Sequence, residues 1–156
     1  MVAALVPVEV LAASDGSTHP RTREAGCGVH CVFKGGSIMV HGKLRNTGNN
    51  YIAELAGALA AVHNAPTNAR LTLYVDNKAV WHVLRPIVLA FASGVRYEWT
   101  EQRRIRMAGA PLIKAFHSVI YSRTATVDLV HQRSHTDENT VSARLLACAD
   151  RSANCL

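Results

Sequence analysis

Four acidic residues stand where the chain passes from one kind of segment to the next. They are Asp15 in Ser14-Asp15-Gly16-Ser17, Glu54 in an alanine-rich stretch, Asp76 closing the run Leu71-Thr72-Leu73-Tyr74-Val75, and Asp150 after Leu145-Leu146-Ala147-Cys148-Ala149. Taken singly, each has an ordinary explanation as a turn former, a helix cap or a solvent-facing helix acid. Taken together that explanation weakens, because Glu54 sits among Ala53, Leu55, Ala56 and Gly57 and Asp150 follows an apolar run. A charge placed among apolar neighbours needs a partner. Carboxylates gathered in one pocket repel one another, and hard, oxygen-preferring divalent cations are the usual counter-charge.

Outside these four positions the chain is basic. Its 156 residues carry 17 Lys and Arg against 11 Asp and Glu, a formal net charge of +6, which favours a polyanionic partner. Six of the cations, Arg96, Arg103, Arg104, Arg106, Lys114 and Arg123, fall within residues 96–123 against Glu98 and Glu101, a net of +4. A basic surface is expected there. An acidic pocket that needs a cation, on a protein that attracts polyanions, points to a metal-dependent nuclease.

The length and the 49% hydrophobic content suit one domain over 1–156 with a packed core. The cysteines, Cys27, Cys31, Cys148 and Cys155, are expected to be reduced, since such a core needs no staples and Cys27 and Cys31 share one face of a single strand. The spacing Cys27-Gly28-Val29-His30-Cys31 does not suit zinc. Residues 1–14 are apolar like a secretion signal, but they lack a basic start and are interrupted by Glu9, so they read as a first strand. No stretch approaches the ~20 uninterrupted apolar residues of a membrane span, and the expected setting is intracellular, in cytoplasm or nucleus.

The elements that must position the acids follow from periodicity. Residues 8–14 read as a strand ending in an Asp15-Gly16-Ser17 turn, 27–33 as a second strand, Lys34-Gly35-Gly36-Ser37 as a hairpin turn, and 38–44 as a third strand. Asn50 is placed to cap a helix over 51–63, where Ile52, Leu55, Ala56, Leu59 and Val62 recur at helical spacing. The run 71–75 reads as a buried central strand. Asp76-Asn77 opens a helix stopped by Pro86, Pro111 opens another, 125–131 is a strand and 141–153 a terminal helix. The expected architecture is α/β: a five-stranded mixed sheet, three strands antiparallel and then parallel, with helices on both faces. Asp15 and Asp76 then end neighbouring central strands at the edge where open sheets place their chemistry.

Ser14-Asp15-Gly16-Ser17, Ala53-Glu54-Leu55, Tyr74-Val75-Asp76-Asn77-Lys78-Ala79-Val80, and His135 followed by Ala149-Asp150-Arg151-Ser152-Ala153 resemble, in order and over nearly the whole chain, the motifs of type-1 ribonuclease H domains, most closely those of retrotransposon polyproteins. Leu146 departs from that pattern, which usually has Asn four residues before the last catalytic Asp. The resemblance implies a ribonuclease H-like fold in which Asp15, Glu54, Asp76 and Asp150 hold two Mg²⁺ ions, with Mn²⁺ as a substitute and Asp15 as the bridging ligand. A two-metal site about 4 Å across activates water for in-line attack on a phosphodiester and stabilises the departing oxygen. His135 is then a helper in proton transfer or product release.

The implied substrate is the RNA strand of an RNA/DNA hybrid, recognised by backbone and groove rather than by base sequence. Candidates for its contacts are Asn49, Asn50, Arg103, Arg104, Arg106 and Lys114; Trp81 and Trp99 suit either stacking or the core. The expected protein is a monomer engaged in retroelement replication, with an adjoining reverse transcriptase domain as a potential partner and no membrane. The competing expectations are a catalytically silent nucleic-acid-binding domain of the same fold and a same-fold DNA nuclease of the resolvase or transposase type.

Overall fold

The computed structural model describes residues 8–19, 21, 24–44, 49–98 and 108–132. Five strands form one open mixed sheet in the order β3-β2-β1-β4-β5. Strands β1 (Glu9–Thr18), β2 (Ala25–Phe33) and β3 (Gly36–Leu44) make an antiparallel meander. Strands β4 (Arg70–Val75) and β5 (Val127–His131) run parallel to β1 on its other side. The architecture is therefore the expected α/β one, with β1 and β4 at its centre.

Helix α1 (Asn50–Asn64) is capped by Asn49, whose side chain accepts from the Tyr51 N–H at 2.9 Å. The cap is thus one residue earlier than the expected Asn50, which is itself the first helical residue. Helix α2 (Lys78–Ala92) buries Val80, Leu84, Ile87 and Val88, a stripe at helical spacing. Helix α3 (Ala110–Tyr121) starts after Gly109, whose φ of 75° lies in the left-handed region, and buries Ile113, Phe116, His117 and Ile120. All three helices share one hydrophobic core with Val10, Ala12, Val29, Cys31, Leu71, Leu73, Val75 and Val127. Cross-strand partners share a face, so the described helices lie on one side of the sheet. The other side carries Ala13 with Leu11, Val32 and Tyr74; the helix expected over 141–153 lies outside the described residues. Among the described residues no helix is long and apolar enough to cross a membrane.

Several boundaries depart from expectation for physical reasons. The Asp15-Gly16-Ser17 segment is not a turn: β1 continues to Thr18, with Asp15 opposite Gly28 and Ser17 opposite Gly26. Ladder pairing with β2, which begins earlier than expected, overrides local turn preference. Pro86 does not stop α2. Its ring removes one backbone bond, but the residues beyond it bury Ile87 to 0% and Val88 to 3% exposure, and burying two such side chains is worth about 3–6 kcal/mol, at or above the ~3 kcal/mol cost of an interior proline. Pro86→Ala restores the missing N–H at an exposed position and is expected to raise stability by about 2 kcal/mol after allowance for the looser unfolded chain. The urea midpoint checks it; an unchanged midpoint would mean that the preceding turn is already open.

Arg123 belongs to the frame, not to the expected basic surface. It is 4% exposed, and its guanidinium donates to the main-chain oxygens of Ala65 at 3.3 Å and Ala69 at 2.5 Å, tying the end of α3 to the α1–β4 connection. Cys27 and Cys31 are free and buried on one face of β2, as their spacing requires. Burial pushes both thiols up from their ordinary value.

Candidate active site

The parallel register of β1 and β4 runs to Ser14 opposite Val75, so the next residues, Asp15 within β1 and Asp76 just past the end of β4, stand at the same edge. Asp76 directly follows β4, and the cap of α2 is the next residue, Asn77, whose side chain accepts from the Val80 N–H at 3.0 Å. A capping role therefore does not account for the Asp76 carboxylate.

Glu54 reaches the same edge because α1 lies unusually close to β1. A Cβ built on Gly16 would stand 2.3 Å from the Ala53 carbonyl carbon and 2.4 Å from the Glu54 nitrogen, and one built on Gly57 would stand 3.0 Å from the Asp15 oxygen. Two glycines, one on each element, permit backbone contact there. The first turns of α1 also bury Ala53 and Ala56, so small side chains continue the close approach.

The result is a pair of buried carboxyls, Asp15 at 4% exposure and Glu54 at 8%, with the half-buried Asp76 within electrostatic reach. Burial first, then the hydrogen bond to Asp15, then the charges of Asp15 and Asp76 push the Glu54 carboxyl up from 4.5 to about 10. The Gly16 N–H opposes this weakly from the Glu54 side, and it donates to Asp15 Oδ1 at 3.0 Å. In a metal-free protein near neutral pH, Glu54 therefore keeps its proton and donates it to Asp15. A proton shared by two buried carboxyls occupies the place of a counter-charge, and the all-carboxylate donor set suits a hard cation such as Mg²⁺ or Mn²⁺. Among the described residues no three of His, Cys, Asp or Glu form a ready-made metal cage; the expected fourth acid, Asp150, lies outside them, as does His135.

Of the expected substrate contacts, Asn49 is committed to the α1 cap. Asn50 accepts from the Thr18 hydroxyl at the end of β1, which places it near the carboxylate edge. Lys114 is exposed on α3, and no described contact ties it to the carboxylates. Arg103, Arg104, Arg106, Trp99 and Leu146 lie outside the described residues.

Two residues at this edge were not singled out from the sequence for the part they play. Trp81 belongs to the frame: its Nε1–H donates to the Leu129 main-chain oxygen at 3.1 Å, locking the start of α2 onto β5. His131, the last residue of β5, stands opposite Val75 and places Nε2 2.8 Å from the Asp76 main-chain oxygen. The only sequence signal for His131 is its place at the end of an apolar run, and its relation to Asp76 emerges once the β4–β5 register is known. Compared with models of known protein families the chain matches none, and compared with curated proteins it matches none.

Proposed function

We propose that this chain is a metal-dependent nuclease of the ribonuclease H type, cutting the RNA strand of RNA/DNA hybrids in the replication of a retroelement. One observation carries the proposal: Asp15 and Glu54, from β1 and α1, are buried against each other at the central edge of a mixed sheet, with Asp76 at the end of β4 within electrostatic reach of Glu54. A protein does not gain stability from such a group without a counter-charge. The net charge of +6 supports a nucleic-acid substrate, and the ordered motifs around these acids support the hybrid in particular.

Asp15, Glu54 and Asp76 would hold the cations, with Asp150 as the fourth ligand by its place in the sequence. The bound ions would supply an activated water and charge stabilisation at the scissile phosphate. The chain contributes the rest. Glu54 gives up its proton on loading, Asp15 is oriented by the Gly16 N–H, and the contact of α1 with β1 keeps both carboxyls out of bulk water. The wider setting follows from the same motifs: an intracellular monomer, with an adjoining reverse transcriptase domain as its partner.

The test is incubation of the purified chain with labelled RNA/DNA hybrid, duplex RNA and duplex DNA, with Mg²⁺ and with chelator. Cleavage of the hybrid's RNA strand is expected, leaving 3′-hydroxyl and 5′-phosphate ends and vanishing with chelator. Cutting duplex DNA while sparing the hybrid would make it a DNA nuclease of the same architecture. Binding with no cleavage in any arm would make it a nucleic-acid-binding domain.

A further inference from the structure

We infer that His131 is a positioning residue for Asp76: its imidazole N–H, donated to the Asp76 main-chain oxygen, holds the β4–α2 turn, and with it the Asp76 carboxylate, in place at the sheet edge that carries Asp15 and Glu54. The inference deepens the proposed function and rests on it. The backbone ladder between β4 and β5 ends with the Gln132 N–H donating to the Val75 oxygen at 2.9 Å. One residue later the chain turns into α2, whose cap is Asn77, so the Asp76 carbonyl precedes the helix and has left the ladder. The imidazole meets it there at 2.8 Å. A carbonyl only accepts, so Nε2 carries the hydrogen of this bond.

The ring is also held in place. The Trp81 indole lies 6.5 Å from His131, centroid to centroid, and its own N–H reaches Leu129 two residues back on β5. Trp81 is in turn flanked by His82 at 5.0 Å and covered by the Arg85 guanidinium at 4.8 Å. Two side-chain bonds, from His131 and from Trp81, thus fasten the turn carrying Asp76 to β5 from both sides. The arrangement resembles an outer-shell support, in which a group that never touches the ion fixes the residue that does.

Two variants separate positioning from packing. His131→Gln keeps an N–H donor at similar reach, and His131→Leu keeps comparable bulk without one. In the metal-free proteins, the Asp76 carboxyl carbon and the Asp15 and Gly16 amides should keep their wild-type chemical shifts in His131→Gln and move in His131→Leu. Mg²⁺ binding, followed by calorimetry, should weaken about tenfold or more in His131→Leu and stay near wild type in His131→Gln. For hybrid cleavage, kcat at limiting Mg²⁺ should fall in the Leu variant with KM for the hybrid unchanged. Shifts confined to the neighbours of residue 131, or a Gln variant as impaired as the Leu one, would overturn the inference. If the wild type neither binds Mg²⁺ nor cuts the hybrid, the proposed function fails, and the chemical shifts alone still decide whether His131 positions Asp76.

Discussion

Glu54→Gln is expected to leave the metal-free protein folded, to flatten its stability with pH, and to remove metal-dependent cleavage. Glu54 in the folded protein keeps its proton to about 10 against an ordinary 4.5. Between those values the folded state binds more protons than the unfolded one, so this group's contribution is complete below about 4.5 and is lost as the pH rises towards 10. The slope for one proton is at most about 1.4 kcal/mol per pH unit. Gln has nearly the shape of the protonated acid and donates to Asp15 in the same way, so the variant should match wild type near pH 5 and exceed it near pH 9. Cleavage should drop by about a thousandfold, corresponding to the several kcal/mol of charge stabilisation that a correctly held metal provides. Urea titrations across pH and hybrid assays with Mg²⁺ check the two halves. A variant that unfolds near pH 5 would make Glu54 a structural group, and one that still cuts would take it out of the site.

Gly16→Ala should damage both stability and activity although it adds one methyl. The new carbon would fall 2.3 Å from the Ala53 carbonyl carbon and 2.4 Å from the Glu54 nitrogen. Both are backbone atoms, which cannot swing aside as a side chain can. The remedy left to the protein is to move α1 off β1, at about 3 kcal/mol or more. That movement separates Glu54 from Asp15, so cleavage should fall even at temperatures where the variant remains folded. Gly57→Ala meets the Asp15 oxygen at 3.0 Å and should show the same pair of effects in weaker form. Thermal denaturation and assays well below the transition check this. A Gly16→Ala protein with normal activity would mean that helix and strand separate without disturbing the carboxyls.

Most of the sheet could be read from the sequence, because β1, β2, β4 and β5 are written in apolar runs. What could not be read is where long-range pairing overrules local preference. Asp15-Gly16-Ser17 has the composition of a turn, and it is strand because β2 supplies Gly26 to Gly28 opposite it. Pro86 has the local meaning of a helix stop, but the burial of Ile87 and Val88 carries α2 past it. Arg123 counted as surface charge until its guanidinium found the carbonyls of Ala65 and Ala69. His131 was invisible for another reason: its role depends on standing level with Val75, and the register of two strands depends on how their hydrophobic patterns match across the sheet, which neither strand shows alone. Asp15, Glu54 and Asp76 could be grouped from sequence because each stands where one kind of segment gives way to the next, and of the three only Glu54 is set among small apolar residues.

The position of β4 beside β1 also sets a clock. Strands β1, β2 and β3 are joined by short connections and pair in sequence order, so the meander is complete once residue 44 has been made. The edge that holds Asp15 then still lacks both neighbours. Glu54 arrives with α1, and Asp76 arrives only after β4 has docked parallel to β1 across more than fifty residues of chain, the kind of distant closure that is slow compared with hairpin formation. During synthesis at roughly 5–20 residues per second, the interval between the appearance of Asp15 and of Asp76 lasts several seconds. The nascent chain passes through it with a paired strand edge but without Asp76, which joins the other two carboxyls in one late step.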